Sequence, residues 1–249
     1  MAAEQTLVYF NTQTTGLKDP HIVELAANAR KRGYAPFHRY ILPRKEFKTE
    51  TSKTKFKLSA DRKTLLLSGK EVDACILKCA LTAFVKWLEG IVNPVLVDHY
   101  VEYHTNALQS AFSYFPPLLQ RYKKIVRRKS DTLPLFGKLF HQGKRLTRAA
   151  LASEILGENS YTEYNAREHV RVLLEMTEKM GISKADILRN ATPLSNPEIC
   201  HSSPGNSDSE VIYQRQKKRK RKNPDQSRKE KKMKKEKKEV TSNESPVSE

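Results

Sequence analysis

Apolar, β-rich runs at residues 6–10, 21–29 and 37–42 open the chain, separated by Gly16, Asp19-Pro20 and Gly33. Their length and spacing predict three consecutive strands paired as antiparallel neighbours. Residues 44–70 are polar and Lys-rich, with a short helix expected near Ser59-Ala60-Asp61. From Glu71 to Ile91 the apolar positions Val72, Cys75, Ile76, Cys79, Ala80, Ala83, Phe84, Trp87, Leu88 and Ile91 follow helical spacing. Gly90 weakens its last turn and Pro94 ends it. Cys75 and Cys79 lie on that stripe, which makes them core thiols rather than ligands. "PVLVDHY" (94–100) predicts a buried strand, and Leu108, Ala111, Phe112 and Phe115 a helix halted by Pro116-Pro117. "SDTLPLFGKLF" begins as a strand end and becomes a short helix, and residues 146–156 and 163–180 predict further helices. Strands first, then helices alternating with buried strands, gives an α/β mixed sheet flanked by helices.

After Arg189 the periodicity stops. Residues 190–210 read as a Pro- and Ser-rich linker, and residues 211–249 as a Lys/Arg-rich tail. Like charges at that density cannot pack together, so the tail is expected to be disordered. The formal charge of +18 is divided accordingly: residues 211–239 carry 15 Lys/Arg against 4 Asp/Glu, and residues 1–210 still hold +9. A basic body joined to a basic tail points to nucleic acid or another polyanion, with solubility and nuclear import alone as the plainer alternative. Lys217, Lys218, Arg219, Lys220, Arg221 and Lys222 form a cluster of the nuclear-localisation type and are the nucleic-acid-binding candidates of the tail. An import receptor is their expected reader. Three cysteines without a CxxC pair signal neither a disulfide framework nor zinc, and no apolar run approaches a membrane span. A reduced, intracellular protein without a membrane partner is expected.

"LVYFNTQTTGL" (7–17) carries chemistry of a different kind. An apolar strand leads into Asn11-Thr12-Gln13-Thr14-Thr15-Gly16, "HIVELAA" (21–27) follows, then "VLVDHYVEYHTNAL" with His99 and His104, "DTLPLF" (131–136), and "YNAREH" (164–169). In this order the segments resemble the DnaQ-like (DEDD) 3′–5′ exonucleases of the ribonuclease-H-like superfamily, over about residues 5–185. That likeness implies a ribonuclease-H-like domain at residues 1–189. "LVYFN" followed by the Leu-Ala-Ala strand is similar, more narrowly, to the exonuclease-like C-terminal domain of the long promyelocytic leukaemia protein isoform.

The positions that carry function in that family all differ. The resemblance implies four carboxylates holding two magnesium or manganese ions, which activate water and stabilise the leaving oxygen. Here Asn11 and Gln13 stand in the first motif, His104 in the second and His169 in the third, with Tyr164 at the general-base position. Amide oxygens add no charge to hold two divalent ions, imidazole suits magnesium poorly, and a phenol of ordinary pKa near ~10 is no base at neutral pH. Asp98, Glu102, Glu163 and Glu168 lie near the altered positions, Asp98 being the best placed substitute. His104 and His169 fall on apolar stripes, as satisfied and partly buried histidines would. Alternatives are a soft-metal site made by His99, His104 and His169, or direct phosphate binding without metal. "RYKKIVRRKSD" (121–131) and the aromatics Tyr34, Phe37 and Tyr122 could add nucleic-acid contacts or merely pack.

The expectation is a catalytically degenerate, exonuclease-like protein without catalytic residues, metal or cofactor. It would reside in the nucleus or nucleolus and bind DNA or RNA, nuclear protein partners, or both. An active metal-dependent 3′–5′ exonuclease and a pure protein scaffold are the alternatives.

Overall fold

The computed structural model describes residues 4–16, 20–31, 33–44, 55–140, 147–162 and 164–194. The linker beyond residue 194, the tail with Lys217–Lys222, Cys200 and Glu163 lie outside the described residues. Three strands come first, as the apolar runs predict: β1 (Thr6–Thr14), β2 (Ile22–Ala29) and β3 (Phe37–Leu42). They pair antiparallel in chain order. β1 is buried along its whole length, with Val8 and Phe10 in one core cluster and Leu7 and Tyr9 in another. A strand covered on both faces needs this unbroken apolar run.

The segment before the first helix departs from expectation. β4 (Phe56–Leu58), β5 (Leu65–Leu67) and β6 (Lys70–Val72) form a separate antiparallel sheet, and Ser59-Ala60-Asp61 is the turn between its first two strands. The Ser59 hydroxyl donates to Asp61 and accepts from Thr64 N, which closes that turn without a helix. β7 (Ala74–Ile76) then joins the main sheet beside β3, so α1 spans only Leu77–Glu89. The helical spacing of Val72, Cys75 and Ile76 is thus coincidental: these residues are β-paired. Cys75 packs half-buried on the core, whereas Cys79 is exposed and is not a core thiol.

β8 (Pro94–Asp98) enters parallel to β1, and β9 (Arg128–Asp131) parallel to β8. Between them lie α2 (Val101–Ser113) and α3 (Pro116–Ile125). Pro116-Pro117 start α3 as well as following α2, because proline suits the first helical turn, where its missing N–H has no partner to lose. Four helices follow: α4 (Leu133–Leu139), α5 (Arg148–Leu156), α6 (Ala166–Lys179) and α7 (Lys184–Arg189). The folded unit continues past residue 189, because β10 (Ala191–Pro193) pairs antiparallel with β9. The main sheet has the order β10-β9-β8-β1-β2-β3-β7. Helices α1, α2 and α3 contribute to one core cluster with Val8 and Phe10, and α4, α5, α6 and α7 to the other. No helix among the described residues is long and apolar enough to cross a membrane.

Two carboxyl groups fix helix starts. Asp131 accepts from Tyr100 N, Val101 N and Leu133 N, which holds the first turns of α2 and α4 to the end of β9. Fully buried Glu24 accepts from Ala166 N at 2.8 Å and contacts His38 Nε2 at 2.9 Å, tying the start of α6 to β2 and β3. Glu24→Ala leaves the Ala166 N–H without this acceptor, and we expect a loss of about 1–3 kcal/mol in urea unfolding.

Candidate functional site

The C-terminal ends of the parallel strands β1, β8 and β9 open on the same side, where α/β sheets commonly place their sites. Asn11 and Gln13 sit two residues apart on β1, so they project from one face. Asp98 ends β8, His104 lies in the first turn and a half of α2, and His169 one turn into α6. Hydrogen bonds join all five. Asn11 Nδ2 donates to Asp98 Oδ2 at 3.0 Å, and Gln13 Nε2 donates to Asn11 Oδ1 at 3.0 Å. His104 Nδ1 lies 3.3 Å from Thr12 N and 2.9 Å from Thr12 Oγ1, and its Nε2 lies 3.1 Å from Asn11 Nδ2 and 3.3 Å from Asp98 Oδ2.

The group that binds this set together is one that pattern reading passed over. Arg148, the first residue of α5, places Nη2 at 2.5 Å from Asp98 Oδ1 and 3.2 Å from the His99 carbonyl. Its Nη1 donates to His169 Nδ1 at 2.5 Å, so the His169 proton sits on Nε2, 2.6 Å from the Tyr161 hydroxyl. A signal was present in "LTRAALASEIL": a cation at a helix N-terminus opposes the helix dipole, and the first turn carries no acid beside it. The phenol on His169 belongs to Tyr161. Tyr164 sits in the left-handed region (φ 63°) just before Asn165, the cap of α6.

Burial sets the protonation states. Asp98 is 1% exposed, and desolvation pushes its carboxyl up to about 6 against the opposing pull of Arg148. His104 is driven down to about 3 by burial and by the Arg148 charge, and His169 falls well below its ordinary value for the same two reasons. At neutral pH the cluster therefore holds one anion, one cation and two neutral imidazoles.

The acids near Asp98 serve elsewhere. Glu102 accepts from buried Lys129 at 2.6 Å, and Glu168 pairs with Arg171. The two-metal arrangement implied by the sequence resemblance does not fit these residues. A pair of divalent ions brings four positive charges, whereas the cluster offers one carboxylate with both oxygens engaged and a guanidinium on one of them. The three-histidine alternative fails on geometry, because His99 Nδ1 turns to Thr132 Oγ1 while His104 and His169 have both ring nitrogens engaged. Among the described residues no group of three or more His, Cys, Asp or Glu could hold a metal ion.

The basic run at 121–131 is largely structural. Arg121 pairs with Glu89, Arg128 donates to the Leu188 and Ala191 carbonyls, and Lys129 is buried; Lys124 and Arg127 are exposed. Tyr122 and Phe37 are buried in ring contacts with Phe112 and with Phe84 and Trp87, and Tyr34 packs on the same core. The exposed aromatic faces are instead Tyr100 (41%) and Tyr114 (46%).

The cluster predicts an acid-sensitive fold. Both histidines take up protons in the unfolded chain below about pH 6.5 but stay neutral when folded, so each favours unfolding as pH falls. Asp98 works the other way: its folded pKa of about 6 lies above the ordinary carboxylate value, so it gains a proton first in the folded state and offsets one histidine. The net is about one proton, or a loss of about 2 kcal/mol between about pH 6.5 and 5. Urea unfolding at these two pH values should show it, and His104→Gln should flatten the dependence.

The sequence matches no protein-family model and no curated protein. Solved structures do match in fold. Exonuclease I superposes with a TM-score of 0.56 at 8% identity, over 75% of this chain and 43% of that one. The zinc-bound E. coli exonuclease I complex with single-stranded DNA gives 0.53 at 9% identity, over 75% and 42%. A 3′-exonuclease in 3′-end-specific recognition of a histone mRNA stem-loop gives 0.54 at 8% identity, over 80% and 73%. The chain thus spans less than half the length of the exonuclease I chains it resembles. The α/β fold of this chain, a mixed sheet flanked by helices, is thus similar to that of these exonucleases.

Proposed function

We propose that this protein is a catalytically degenerate exonuclease-like protein that holds DNA or RNA without cutting it. One observation carries the reading: the Arg148 guanidinium is paired with Asp98 among the four positions to which the resemblance assigns metal ligands. A fixed cation there repels divalent ions, and the amides and neutral imidazoles supply no charge to draw them in. The nucleic-acid half of the reading is supported by the structural neighbours, one bound to single-stranded DNA and one recognising an mRNA stem-loop. It is supported also by the charge of +18. Lys217–Lys222 serve as phosphate contacts and as the import-receptor signal, and the protein resides in the nucleus or nucleolus, where protein partners add to nucleic acid.

The test uses the full chain with end-labelled single-stranded DNA and RNA, with magnesium or manganese, reading shortening and retention together over a range of salt. The expected result is no chelator-sensitive shortening and retention that weakens steeply with salt. Converting Lys217, Lys218, Arg219, Lys220, Arg221 and Lys222 to Gln should reduce the log–log salt slope by up to about 4. Shortening abolished by chelator would establish an active exonuclease instead, and intact but unretained strands would leave a protein scaffold.

A further inference from the structure

The Asp98 carboxylate is surrounded by polar groups, of which only one carries charge. Oδ1 faces Arg148 Nη2 at 2.5 Å and His99 N at 2.7 Å, while Oδ2 faces Asn11 Nδ2 at 3.0 Å and His104 Nε2 at 3.3 Å. The guanidinium meets three acceptors of different kinds: the carboxylate, the His99 carbonyl and the ring nitrogen of His169. Arg148 comes from α5, an element that supplies none of the positions at which the resemblance places metal ligands. It stands at the helix N-terminus, where the dipole disfavours it, and only 8% of it is exposed. Its Nε is buried with no hydrogen-bond partner among the described residues. A desolvated cation with an unmet N–H is costly, so neither helix formation nor packing explains its position.

We propose that the pocket at the ends of β1 and β8 is a guanidinium cage: a cation site that the chain fills with its own Arg148 in place of a metal ion. The inference shares the placement of Arg148 with the proposed function, but it concerns what holds the cluster together rather than what the protein binds. A carboxylate, a carbonyl and an accepting imidazole suit the in-plane donors of a flat cation, whereas magnesium requires near-octahedral oxygen ligands. Truncating Arg148 to Ala therefore leaves a lone buried carboxylate beside a space shaped for a small guanidinium.

Thermal unfolding of the full chain by circular dichroism tests this. The samples are the wild type, Arg148→Ala, and the double variant Asp98→Asn with Arg148→Gln. Each is melted in about 10 mM methylguanidinium chloride, and in methylurea with sodium chloride at the same concentrations. Arg148→Ala should melt about 10 °C lower than the wild type, since removing one partner strands a buried charge. Methylguanidinium should restore about 4 °C of that loss, methylurea none, and the wild type should not move. An unchanged midpoint in Arg148→Ala, equal recovery with methylurea, or an equal rise in the wild type would overturn the cage. Where Arg148→Ala does not fold, the double variant decides. With no stranded charge it should fold and unfold cooperatively, and a double variant as unfolded as the single one overturns the proposal. Strand retention is read separately, so failure here leaves the proposed function standing, and the reverse holds too.

Discussion

A buried carboxylate must find a positive partner or give up its charge, and in this protein Asp98 finds Arg148. The hydrogen-bonded cluster follows from that pairing. The guanidinium fixes His169 through Nδ1, the carboxylate holds Asn11 and faces His104, and Asn11 in turn accepts from Gln13. Strands β1 and β8 and helices α2, α5 and α6 are thereby tied together at one point by side chains that are polar but almost wholly enclosed. A buried network of this kind strengthens each bond in it and makes each loss expensive.

Two other acids, buried Glu24 and half-buried Asp131, are likewise committed to partners. Glu24 holds the start of α6, which carries His169, and Asp131 holds the start of α2, which carries His104. The carboxyl groups near the strand ends are thus committed to helix starts and to an arginine. At the ends of β1 and β8 the sheet aligns an internally neutralised cluster. What the folded unit presents outward is different: Lys124, Arg127, Tyr100 and Tyr114 are exposed, and the sequence adds the dense positive charge of residues 211–239. Positive charge at that density suits a polyanion, whose counterions it would release.

Much of the architecture was legible because burial on both faces writes a plain pattern. "LVYF" and "PVLV" could only be inner strands, and the stripes of α1, α2 and α6 could only be helices packed on them. Reading failed where the pattern was short or shared. Cys75 and Ile76 fit a helical spacing but pair with β3, because the edge of the sheet offered hydrogen bonds that a frayed helix end did not. Pro116-Pro117 read as an end and were also a beginning. β10 is three residues long, too short for any periodicity to show.

In the sequence it was the resemblance in motif order that grouped Asn11, Gln13, His104 and His169 into one site, and the residues themselves that showed none of the four to be a carboxylate. Local patterns added only which way each residue faces, through strand and helix periodicity. Only the tertiary structure decided what stands among them. Arg148 lies 50 residues from Asp98 and 21 from His169, on a helix whose own pattern gives no reason for a buried cation. Its meaning depends on a distance of 2.5 Å across the sheet's end. Electrostatic partnership between distant segments leaves no period in a sequence, because it is set by where the packed elements bring their ends together.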